Sequence, residues 1–72
     1  MEQQIETLDV VALLEAVPAR GLVRGQVGTV VERLAHDAFE VEFSDENGRA
    51  FATAALHAHQ LMRLHHKPVQ AA

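Results

Sequence analysis

The apolar positions of this chain fall into short runs broken by glycine, proline and acidic turns, and the spacing inside each run predicts strands. The clearest run is "FEVEFS" at residues 39–44, where Phe39, Val41 and Phe43 alternate with Glu40, Glu42 and Ser44. Strict period-two alternation marks a half-buried antiparallel strand with one wet face. "DENG" at 45–48 follows as a hairpin turn, with Asn47-Gly48 supplying positive φ. "RAFATAAL" at 49–56 returns as the second arm; its alanines are weak strand formers, so pairing must hold it in place. Upstream, "VGTVVERL" at 27–34 reads as a strand in which Gly28 marks a bulge or a close backbone approach. "VPARGLVRGQ" at 17–26 reads as a loop, since Pro18 fixes φ and Gly21 and Gly25 permit positive φ. "TLDVVALLEAV" at 7–17 fits either a helix capped by Thr7 or a strand. A strand over 9–14 is preferred, because everything downstream is β and needs a partner. "HAHQLMRL" at 57–64 reads as one helical turn over 57–60 and a last strand over 61–64.

Five short strands in 72 residues predict an all-β fold: a small five-stranded SH3-like (KOW-like) partly open barrel, with one short helical turn before the last strand. The domain is expected over 7–64, with a flexible N-terminus at 1–6 and a flexible C-terminal tail at 65–72. The expected core is Leu8 or Val10, then Ala12, Leu22, Val27, Val30, Leu34, Phe39, Val41, Phe43, Leu56, Leu61 and Leu64. Val11, Leu13, Val23, Val31, Phe51, Ala55 and Met62 are left over. They form either a second small core under the long loop or an exposed patch for self-association or a partner. A chain this short buries only about 60% of its unfolded surface, so a partner subunit is one expected source of extra stability. It has no cysteine, which removes disulfides and thiolate metal sites.

Charge narrows the choice of partner. The formal net charge is −4. Residues 1–19 carry acids and no base, and 37–49 carry Asp37, Glu40, Glu42, Asp45 and Glu46 against Arg49 alone. That is a poor footprint for a phosphate backbone, although Arg20, Arg24 and Arg33 can make a local basic spot. The polar start has no apolar leader, and the longest mainly apolar run, residues 10–14, is far short of a membrane span; a cytoplasmic location is expected. His57-x-His59 and His65-His66 are the only metal-ligand pattern, and exposed or partly packed histidines are the plainer reading, so no cofactor or metal is expected. Glu40 and Glu42 share the wet face of one strand, where a thin barrel leaves no room for a catalytic cleft. They read as a solvated acidic face or a docking surface for a basic partner, and no enzyme motif accompanies them.

The segments "DVVALLEAVPARGLVRGQVGTVVERL", "FEVEFSDENGRAFATAAL" and "HQLMRL" together resemble a bacterial family of small uncharacterised proteins, domain-of-unknown-function family 4926. The matching elements are D-V-V-x-L, P-x-x-G-L-x-x-G-x-x-G-T-V, F-x-V-E-F-x-D-x-x-G and L-x-x-x-Q-L, at residues 9–13, 18–30, 39–48 and 56–61. The resemblance covers about residues 7–64 and departs from the pattern at 50–55, where the family has larger residues. It implies an SH3-like barrel and leaves the activity open. Within it, Gly25, Gly28 and Val30 are similar to the KOW element of ribosomal and transcription-factor barrels. That likeness would present Arg20 and Arg24 to phosphates. Single-strand binders also use aromatic platforms, and this chain has three Phe, no Tyr and no Trp. The leading expectation is therefore a non-enzymatic protein-interaction module that binds another protein or itself, one version being an antitoxin or immunity-type or accessory partner. Glu40, Glu42, Arg20, Arg24 and Phe51 are the candidate contact residues. The alternative is a KOW-like nucleic-acid-binding module.

Overall fold

The computed structural model describes residues 4–65. Of the two expected flexible ends, residues 1–3 and 66–72 lie outside that range, His66 among them. The order is β1 (Val10–Leu13), a 3-10 turn (Pro18–Arg20), β2 (Val27–Ala35), β3 (Ala38–Ser44), β4 (Ala50–His57), a second 3-10 turn (Ala58–Gln60) and β5 (Leu61–Arg63). All strands are antiparallel in one sheet of order β4-β3-β2-β1-β5. The chain is thus all-β, a five-stranded SH3-like sheet that curls without closing, and its edges are β4 and β5. The second 3-10 turn precedes the last strand, as the pattern at 57–60 predicts.

The connections follow local chemistry. Residues 17–26 form a loop built on the Pro18–Arg20 turn, which Gly21 ends at φ 70°. Val17 and Leu22 exchange backbone hydrogen bonds across its base, and this drives Leu22 into the core. The β3–β4 turn is pinned by Asp45, whose Oδ1 accepts the N–H groups of Asn47 and Arg49 at 2.9 Å each. Of the Asn47-Gly48 pair, Gly48 alone takes positive φ.

The interior gathers Val11, Leu13, Leu22, Val30, Phe39, Val41, Phe43, Ala54, Leu56 and Leu61. The face of β1 is the reverse of the expected one: Val11 and Leu13 point inward, while Leu8 and Leu14 are exposed. A run that is apolar on both sides carries no period-two signal, so neighbouring strands decide which face turns in. Val11 sits opposite Gly28 and Leu13 opposite Leu61, both inward positions, whereas Ala12 is covered on the outer side between Val27 and Met62. Val27 and Leu34, also expected in the core, are exposed. The cause at Leu34 is a pair of register shifts of β2 against β3: a bulge at Val30/Glu32, which reverses the phase, and a second shift at Arg33/Ala35, which leaves Leu34 itself without a partner on β3. Past the bulge Glu32 faces outward and the Arg33 guanidinium takes the inner side, 5.8 Å from the centre of the Phe39 ring. Ile5 is half-buried against the core, and Glu6 and Asp9 exchange hydrogen bonds just before β1.

Candidate functional site

The outer face of the sheet carries most of the candidate residues. Glu40 and Glu42 project from β3, with Ala55 and Thr53 of β4 opposite them on one side and Glu32 and Thr29 of β2 on the other. Glu32 therefore stands directly across from Glu40. Like charges in that position repel and destabilise the sheet. Among the described residues no cation lies within ion-pair distance of Glu32, Glu40 or Glu42; the two ion pairs are Asp9–Arg63 at 3.0 Å and Asp37–His57 at 3.9 Å. Phe51, 48% exposed, lies on the same face of β4. Met62 and Val27, about half exposed, flank Ala12 at the other side of the sheet. Glu32 was not singled out from the sequence, because only the bulge moves it onto this face.

Arg20 and Arg24 lie elsewhere, in the loop between β1 and β2, and do not join the acidic face. Arg24 is tied down through Nε to the Leu14 carbonyl oxygen at 3.2 Å. Arg33 is at the far end of β2, where its guanidinium donates to the carbonyl oxygens of Ala35 and His36. No basic spot of three arginines is assembled. The glycines of the same loop have structural roles. Gly25, at φ 89°, closes a turn by donating its N–H to the Leu13 carbonyl oxygen at 2.7 Å. Gly28 is buried beneath the core, and a Cβ there would come within 2.8 Å of the Phe43 ring and of Val41 Cγ1.

The imidazoles of His57 and His59 stack with centroids 5.7 Å apart and planes 8° from parallel. Stacked rings do not converge on a common point. Among the described residues no three His, Asp or Glu side chains are gathered as a metal site. The His65-His66 pair extends beyond the described residues. A groove of about 510 Å³ opens at one end of the sheet, lined by Ile5, Arg33, Asp37, Phe39, His59 and Arg63 among others. Glu40 and Glu42 do not line it. Among the described residues no helix is long and apolar enough to cross a membrane.

A family model, Domain of unknown function (DUF4926), matches residues 7–63. The chain belongs to this family. The DUF4926 match takes in all five strands and both 3-10 turns, so the acidic face and the Gly28 packing site lie within the family's own span. No curated protein and no solved structure matches the chain.

Proposed function

We propose that this DUF4926 chain is a non-enzymatic protein-interaction module whose outer sheet face docks a basic, partly apolar surface on another protein. The observation that carries this reading is the uncompensated acidic cluster Glu32, Glu40 and Glu42. Two of the three stand directly opposite each other at a cost to stability. A cationic partner surface relieves that repulsion, and exposed Phe51 on the neighbouring strand supplies the apolar contact. The carboxylates lie on an open face and not in a groove, which favours docking over catalysis. The same cluster repels a polyanion, and the arginines that a nucleic-acid reading needs are dispersed and partly engaged with backbone carbonyls.

The test is affinity retention from native lysate by the whole chain and by a Glu40→Arg/Glu42→Arg variant. The reading expects one stoichiometric protein on the first, lost on the second, with retention weakened by added salt. An empty lane, or equal retention by both, contradicts it. In parallel, filter binding at low salt is expected to retain neither RNA nor DNA; retention that weakens on Arg24→Glu would favour the nucleic-acid alternative.

A further inference from the structure

Strand β4 is eight residues long, lies at an edge of the sheet, and contains no proline, lysine, arginine, aspartate or glutamate. Exposed edges are usually blunted by lysine, proline, bulges or brevity, because unpaired backbone groups invite another strand. The opposite edge, β5, follows that practice with three residues and Arg63. β4 does not.

The hydrogen-bond alternation shows which groups are left open. Ala58 N–H donates to the Asp37 carbonyl oxygen at 2.8 Å, which brackets the Ala38–His57 pair and makes it a non-bonded pair of the ladder. The next pairs alternate, so Leu56 and Ala54 direct their backbone groups to Phe39 and Val41 of β3. Thr53 and Ala55 then aim both N–H and C=O away from the sheet, where among the described residues no strand pairs with them. The His57 N–H, next along this edge, is already capped by Gln60 Oε1 at 2.8 Å. The open stretch is thereby confined to the middle of β4.

We infer that β4 pairs antiparallel with β4 of a second copy of this chain, about a twofold axis through Ala54. In this register Thr53 of each copy faces Ala55 of the other. All four groups of both residues are satisfied, and the paired stretch stays within the regular part of β4, on the His57 side of the shift at Phe51. Charge selects this contact over other contacts between copies. Packing outer face on outer face would bring Glu32, Glu40 and Glu42 against themselves. Edge pairing places the two β3 strands three strand spacings apart, about 14 Å, beyond the screening length of about 8 Å at physiological salt. The inference rests on the interaction-module reading and names one partner for it. The outer face stays open in the pair, so a second protein can still dock there.

Sedimentation of the full chain from low concentration to about 1 mM tests it. The expected mass rises from 7.9 kDa towards twice that value. Two variants locate the contact. Thr53→Pro removes an N–H that makes no bond among the described residues, as edge positions allow, and should weaken the pair at least about tenfold by deleting two ladder bonds. Ala55→Lys leaves the backbone intact and sets two lysines about 7–8 Å apart diagonally across the axis; it should also abolish pairing. Circular dichroism confirms that each variant is folded, and Ala55→Lys decides the matter if the proline variant is not. A monomer at every concentration overturns the inference and leaves the edge to an extended peptide of another protein, without touching the retention test above. A dimer that survives Ala55→Lys also overturns it, by placing the contact elsewhere.

Discussion

Two residues report most directly on how tightly this small structure is specified. Gly28 has no room for a methyl group, since Phe43 and Val41 already occupy the space above its Cα. Gly28→Ala is therefore expected to lower stability by about 1–3 kcal/mol, the usual cost of overpacking, seen as a lower urea midpoint with an unchanged slope. An unchanged midpoint would mean that the ring and the valine shift at no cost. Leu8 presents the opposite case. It holds φ at 77°, a left-handed conformation unfavourable for a bulky residue, while its side chain is 75% exposed. Its N–H is committed to the Val30 carbonyl oxygen at 2.7 Å, which keeps the backbone in place. Leu8→Asn should raise stability by about 0.5–1 kcal/mol, because asparagine tolerates this region better and little packing is lost. A destabilised Leu8→Asn variant would show that the leucine makes contacts worth more than the strain.

At the scale of strands, the sequence was legible wherever alternation was unambiguous. β3 could be read almost residue by residue, because Phe39, Val41 and Phe43 alternate with polar neighbours and their pairing partners preserve that phase. β1 could be located but not oriented, since Val10, Val11, Ala12, Leu13 and Leu14 offer two apolar faces. The choice fell to Gly28 and Leu61 on the adjacent strands. β2 defeated a simple reading in its second half because its two register shifts are tertiary features with no residue signature of their own; they removed Leu34 from the core and added Glu32 to the candidate site. Glu40 and Glu42 were thus visible in the sequence as one wet face, and Phe51 as an apolar residue left over from the core, while their acidic neighbour was not. The Glu32–Glu40 opposition predicts that Glu40→Gln stabilises the isolated chain by about 0.2–1 kcal/mol at neutral pH. The gain should shrink in high salt, where the repulsion is screened. Thermal melts at low and high salt check both statements, and a destabilised variant would show that the pair is not repulsive. The β3–β4 turn carries an independent expectation: Asp45→Ala loses the acceptor for two N–H groups and should cost on the order of 1 kcal/mol.

For the molecule as a whole, the open curl of the sheet divides the roles of its surfaces. Among the described residues, the inner face closes over ten core residues, the outer face concentrates negative charge beside exposed apolar side chains, and one edge stays unpaired over Thr53 and Ala55. On the reading proposed above, a small acidic chain built this way acts through contacts with proteins, and the surfaces that would make them lie within the span of the DUF4926 match. Amide hydrogen exchange on the full chain, read residue by residue at low and high concentration, tests this most directly. The account predicts that the amides of Val41 and Ala54 are protected at every concentration, whereas those of Thr53 and Ala55 exchange fast when dilute and become protected when concentrated. Fast exchange at Thr53 and Ala55 throughout, or loss of protection at Val41 and Ala54, would contradict it.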